Sequence, residues 1–152
     1  ATKKLFEEST KRVVLVEEEK KKFHTTVARL LYLSKRARPD ILTAVGFLCT
    51  RVKEPTMEDK QKLLRLLGYL QASVHKKLLL RPEGVFKVEA YVDAAFAIHS
   101  DSKSHTGVAV FVGGALVYAA SRKQKCMMKS PTESELVALT DNVGSWNYLR
   151  SF

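Results

Sequence analysis

The chain has 152 residues, 45% of them hydrophobic, with 26 Lys and Arg against 16 Asp and Glu and a formal net charge of +10. That length suits one domain or two small ones, and the hydrophobic fraction is that of an ordinary folded protein. No apolar run approaches the roughly 18 residues that span a bilayer, no signal-peptide core follows Ala1-Thr2-Lys3-Lys4, and Cys49 and Cys126 fit no metal-ligand spacing. The expectation is an intracellular protein, cytoplasmic or nuclear, with no membrane partner and with buried free thiols.

In chain order, Val13-Val14-Leu15-Val16 is a short apolar run that suits an edge strand or a partner-binding segment. Glu17-Glu18-Glu19-Lys20-Lys21-Lys22 reads as the solvated start of a helix, acids toward its N-terminus and bases after them. Phe23, Val27, Leu30 and Leu31 carry helical spacing to about Ser34. Pro39 suits the first position of a second helix, with Ile41, Ala44, Val45 and Leu48 on one face. Thr56 precedes Asp59 by three residues, a capping-box variant ahead of the stripe Leu63, Leu66, Leu67 and Leu70. His75 to Leu80 is compatible with a strand, and Arg81-Pro82-Glu83-Gly84 has the turn chemistry of a boundary. Residues 1–85 are therefore read as a helical segment and residues 86–152 as an α/β segment.

The second segment opens on Val88-Glu89-Ala90-Tyr91-Val92-Asp93, whose apolar positions alternate as in a strand. Thr106–Val112 and Ala115–Ser121 read as two more strands, joined at Gly113-Gly114, where both residues can take the positive φ of a tight hairpin. The strand from Val88 is expected at the centre of the sheet, paired with the strand from Thr106. A helix follows from Pro131 to about Arg150, with Leu136, Leu139, Val143, Trp146 and Leu149 as its core face. The charge is uneven: residues 1–85 carry 19 Lys and Arg against 10 Asp and Glu, and residues 86–152 carry 7 against 6. A nucleic-acid backbone would therefore meet the first segment, although a generic solubilising face reads the same way.

Asp93 ends the first strand and Glu133 lies in the first turn of the helix, 40 residues later. Two hard anionic ligands in a basic protein point to Mg²⁺ or Mn²⁺ and to phosphate chemistry. The plainer reading is a strand-end turn residue and a favourable charge at a helix N-terminus. Asp141 lies about 12 Å further along the helix axis, and Glu135 about 200° around it from Glu133, so neither joins the pair. His99, Asp101 and His105 lie between strands and raise zinc, but their spacing matches no common motif, and a hydrated hairpin loop is the favoured reading.

The wording around these residues resembles one family. Tyr91-Val92-Asp93-Ala94-Ala95-Phe96-Ala97 is similar to the first-strand signature of the ribonuclease H domain in copia-type LTR retrotransposon Pol polyproteins. Ser104-His105-Thr106-Gly107-Val108 resembles the entry to its second strand, Gly113-Gly114-Ala115 its first hairpin, and Ser121-Arg122-Lys123-Gln124 its serine-basic-basic-glutamine segment. Ser130-Pro131-Thr132-Glu133-Ser134-Glu135-Leu136 resembles its helix opening. Upstream, Leu31-Tyr32-Leu33 with Arg38-Pro39-Asp40-Ile41, and Leu66-Leu67-Gly68-Tyr69-Leu70, look like the connector after the reverse transcriptase and the helix before the nuclease. The resemblance runs in order over about Thr25 to Leu149.

The resemblance implies a partial ribonuclease-H-like α/β fold, three antiparallel strands and a helix over 86–152, preceded by a helical connector or thumb-like segment over 1–85. It implies two-metal hydrolysis of the RNA strand of an RNA–DNA hybrid, with Asp93 bridging two Mg²⁺ or Mn²⁺ ions, Glu133 binding one, and the 2′-hydroxyl marking the RNA strand. Lys123 and Gln124 would lie near nucleic acid, or else at an exposed strand end. Three positions depart from the pattern. Ala95 stands where a second aspartate is usual, Ala119 where a tryptophan is usual, and no residues after Phe152 supply the later strand with its further aspartate. The expectation is a fragment of a retrotransposon reverse transcriptase/ribonuclease H, inactive as the isolated chain, with a second chain able to complete the sheet. The alternative is a domesticated, non-catalytic module that binds nucleic acid or protein.

Overall fold

Glu17, Glu18 and Glu19 begin the first helix, α1 (Glu17–Arg36), and Lys35 and Arg36 end it, the charge order that the helix dipole favours. The computed structural model describes residues 5–6, 13–81 and 87–150, and the chain divides into two compact units, Ala1–Lys77 and Leu78–Phe152.

In the first unit, α1 buries Phe23, Val27, Leu30 and Ser34, close to the expected stripe. A 3-10 turn at Pro39–Ile41 leads into α2 (Leu42–Cys49), which buries Leu42, Val45, Phe47 and Leu48. In α3 (Met57–Ala72), Thr56 Oγ1 accepts from the Asp59 amide and the Asp59 carboxylate accepts from the Thr56 amide at 2.9 Å, the expected capping box. Leu63 and Leu66 are buried, whereas Leu67 is exposed. The run around Val14 makes an isolated bridge to Thr56 rather than a longer strand, with Leu15 buried beneath it. Arg38 clasps this unit: its guanidinium donates to both Asp40 oxygens, at 2.9 and 2.8 Å, and to the carbonyl and hydroxyl of Ser73, at 3.0 and 2.7 Å. Residues 76–81 contain no strand, contrary to the sequence expectation for His75 to Leu80, because among the described residues no strand pairs with them. The expected boundary at Arg81-Pro82-Glu83-Gly84 lies, after Arg81, outside the described residues.

The second unit is α/β, an antiparallel sheet of β1 (Val88–Ala95), β2 (His105–Val112) and β3 (Ala115–Lys123) followed by α4 (Pro131–Arg150). Gly113 and Gly114 take φ of 56° and 80° and close the β2–β3 hairpin as expected. The sheet order is β1-β2-β3, so β2 is central and β1 is not. Two successive hairpins always place their shared strand in the middle. Helix α4 packs on β1 and β2. Its buried face is Ser134, Ala138 and Asn142, while Leu136, Leu139 and Val143 are 62%, 43% and 41% exposed, the reverse of the expected core stripe. Small residues at i, i+4 and i+8 let the helix lie close to the sheet, over the buried Val108 and Val110. Asn142 Oδ1 accepts from Arg122 Nη2 at 2.7 Å on this same face. Trp146 is half-buried, and the side chain of Leu149 lies outside the described residues.

Candidate functional site

Asp93 lies on β1 opposite Gly107, in an unbroken register that runs from Val88↔Val112 to Ala95↔His105. Strand alternation groups its side chain with those of Tyr91 and Ala95, all three exposed. Ala90, Val92 and Ala94 take the other face, the one shared with Val108, Val110 and Arg122 and covered by α4. Glu133 sits in the first turn of α4, exposed, and its Oε2 accepts from the Lys129 amide at 2.6 Å while its own amide donates to Ser130 Oγ at 3.2 Å. The carboxylate therefore helps to cap the helix. Strand and helix are packed neighbours, yet among the described residues no hydrogen bond joins Asp93 to Glu133.

Mg²⁺ takes hard oxygen ligands and keeps several waters. Asp93 and Glu133 are the right kind of donor, exposed and on adjoining elements, and Glu133 has one carboxylate oxygen outside its cap bond. Among the described residues no three His, Cys, Asp or Glu side chains come together to hold a metal ion. Asp93 projects from the face of β1 opposite the one that α4 covers, so the two carboxylates form no ready-made donor set, and a cation shared between them would be weakly held and largely hydrated. Ala95, exposed at the end of β1, adds no oxygen.

Lys123 and Gln124 end β3 differently. The Lys123 ammonium lies 2.7 Å from Asp101 Oδ1 and holds that carboxyl below the usual carboxylate range. Gln124 is buried: its Nε2 donates to Thr106 Oγ1 at 3.0 Å and to the Ser134 carbonyl at 2.8 Å. Through Nε2 the side chain joins the sheet to α4, and its Oε1 is buried without a hydrogen-bond partner.

The loop after β1 holds what spacing alone did not reveal. His99 and His105 are buried, not hydrated, with His99 Nε2 and His105 Nδ1 3.0 Å apart, and His105 Nε2 lies 2.6 Å from Ser121 Oγ. Asp101 leaves the pair for Lys123. The signal available in the sequence was the placement of His105 at the first position of a strand, where period two turns its ring back over the sheet. Cys126 is exposed, contrary to expectation, because it falls in the irregular segment between β3 and α4. Cys49 is half-buried, and burial pushes its thiol up.

No family model and no solved structure matches the chain. A mitochondrial protein of Arabidopsis thaliana, described as uncharacterized, is 33% identical over 118 residues, 77% of this chain and 49% of that protein. Secreted RxLR effector protein 161 of Plasmopara viticola is 33% identical over 118 residues, 77% of this chain and 83% of that protein. The retrovirus-related Pol polyprotein from transposon RE1 of Arabidopsis thaliana is 35% identical over 123 residues, 79% of this chain and 8% of the polyprotein. The chain thus spans about half of the first relative and a small part of the last.

Proposed function

We propose that the α/β unit of this chain, which is similar to stretches of retrovirus-related Pol polyproteins from transposons, is the first part of a ribonuclease-H-like domain. The observation that carries this reading is the order of parts: an antiparallel meander with Asp93 near the end of its first strand, then a helix packed on that strand with Glu133 in its first turn. The helical unit is, in this reading, the connector or thumb-like segment ahead of the nuclease.

The ancestral reaction is hydrolysis of the RNA strand of an RNA–DNA hybrid. Asp93 and Glu133 would hold Mg²⁺ or Mn²⁺. When bound, such ions lower the pKa of water and stabilise the leaving oxygen. The basic residues of the first unit, among them the exposed Lys21, Arg29, Lys53 and Arg65, would attract phosphate, and Lys123 lies at the sheet end nearest the loop after Asp93. Two carboxylates alone hold such an ion weakly, so Asp93 and Glu133 by themselves are expected to bind it without supporting cleavage.

A second reading, a domesticated module that binds nucleic acid or protein without catalysis, is favoured by Ala95 and by the use of the Glu133 carboxylate as a cap. Purified chain incubated with a labelled hybrid and Mg²⁺ or Mn²⁺ tests the pair. The expected result is binding without cleavage. Cleavage that disappears in Asp93→Asn would show that the site is complete, with a ligand supplied from elsewhere. Absence of both binding and cleavage would leave the protein-binding module as the function.

A further inference from the structure

The loop between β1 and β2 is fastened from within. The His99 amide donates to the Lys103 carbonyl at 3.2 Å, the Ser102 amide to the His99 carbonyl at 2.9 Å, and the Gln124 amide to the Ser104 carbonyl at 2.9 Å. The Ala97 amide donates to Ser104 Oγ at 3.2 Å. Ala97 and Ser102 hold φ of 48° and 57°, left-handed conformations that residues other than glycine keep where their surroundings fix them. This loop delivers the His99 ring onto the His105 ring, with centroids 5.3 Å apart and planes tilted by 38°.

Two ring nitrogens that face each other at 3.0 Å share one proton. The same spacing is a metal bite: two imidazole nitrogens at roughly 2.0–2.1 Å from one cation are roughly 2.9–3.4 Å apart for bond angles between square and tetrahedral. Ser121 Oγ lies 2.6 Å from the other nitrogen of His105. When Nε2–H donates to that hydroxyl, Nδ1 turns its lone pair toward His99, the outer hydrogen bond that fixes tautomer and ring orientation in metal-binding histidines.

We propose that His99 and His105 form a binding site for one borderline divalent cation, Zn²⁺, Co²⁺, Ni²⁺ or Cu²⁺, held by Nε2 of His99 and Nδ1 of His105 with water in the remaining positions. The cation sits to one side of the line between the two nitrogens, at bonding distance from both, and the proton they share leaves that line to the other nitrogen of His99 or to water. Imidazole donors without a carboxylate select these ions and reject Mg²⁺, and Asp101 is committed to Lys123. His105 pairs with Ala95 and so stands on the Asp93 face of the sheet, but the donors are the two imidazoles and the proposal does not rest on the nuclease reading.

The test is calorimetric titration of chelator-treated full-length chain with Zn²⁺, repeated with Co²⁺ followed by its visible absorption. Stoichiometric binding is expected, unchanged by millimolar Mg²⁺, and weakened at least about tenfold in His99→Asn and in His105→Asn. Thermal melts accompany both variants. His99→Asn, confined to the loop, remains informative if His105→Asn disturbs the sheet. Absence of saturable Zn²⁺ binding would overturn the proposal. So would an affinity that survives both substitutions, which would move the cation to Cys126, His24 or His75.

Discussion

Gln124 donates from Nε2 to the backbone carbonyl of Ser134 at 2.8 Å, and so ties the end of β3 to the first turn of α4, the turn that carries Glu133. The same amide donates to Thr106 Oγ1 at 3.0 Å, inside a buried pocket of polar groups. Helix and sheet are thus tied at the first turn by this side chain, and further along α4 by the Arg122–Asn142 bond.

Gln124→Ala removes both bonds and leaves a buried carbonyl and hydroxyl with fewer partners. A loss of about 1–3 kcal/mol is expected, which lowers the melting midpoint of a unit this size by roughly 5 °C or more. Differential scanning calorimetry reads it. A midpoint within about 1 °C of the unsubstituted chain would mean that the helix is held by Ala138 and Asn142 alone.

Asp40 makes unit stability depend on acid. The Arg38 guanidinium, and then the Tyr69 hydroxyl, hold its carboxyl down to about 2, below the ordinary 3.8. A depressed carboxylate contributes stability that is fully present above its unfolded pKa and is lost as pH falls through its folded pKa. The window is therefore pH 4 to 2, and the contribution at most about 2 kcal/mol for a side chain one-third exposed. Denaturant unfolding at pH 5 and at pH 2 should show a fall that is smaller in Asp40→Asn. An equal fall in both proteins would assign the acid sensitivity to other carboxylates.

The elements of both units were legible because their signals are local. The Thr56–Asp59 cap is a matter of spacing three, the Gly113-Gly114 turn needs positive φ, and the Val88 run shows its alternation without any partner. What failed to show was tertiary. Leu136, Leu139 and Val143 read as a core stripe, yet the sheet takes Ser134, Ala138 and Asn142, because close approach of backbones outweighs apolar area on that face. Gln124 read as a surface residue, and its burial depends on a helix ten residues away. The His99–His105 contact depends on a loop conformation that spacing does not encode. Asp93 and Glu133 were picked out from the strand pattern and the wording around them; their elements are packed neighbours, yet Asp93 stands on the face of β1 away from α4 and no hydrogen bond joins the two among the described residues.

Backbone contact by the basic unit predicts a steep salt dependence. Each phosphate neutralised contributes about −0.9 to the slope of log affinity against log salt for duplex DNA. Replacing the exposed Lys21, Arg29 and Arg65 by Gln should flatten that slope in fluorescence-anisotropy titrations of the full chain. A slope unchanged by all three substitutions would move the contact to other residues.

The central claim is that Asp93 and Glu133 are the surviving ligands of one metal site, and paramagnetic NMR tests it most directly. Substoichiometric Mn²⁺ should broaden backbone amides around Asp93 and around Glu133 together, Mg²⁺ at millimolar concentration should compete the effect away, and Asp93→Asn should abolish it at both places. Broadening confined to one of the two residues, or unaltered at Glu133 in Asp93→Asn, would contradict a shared site and leave Glu133 as a helix cap alone.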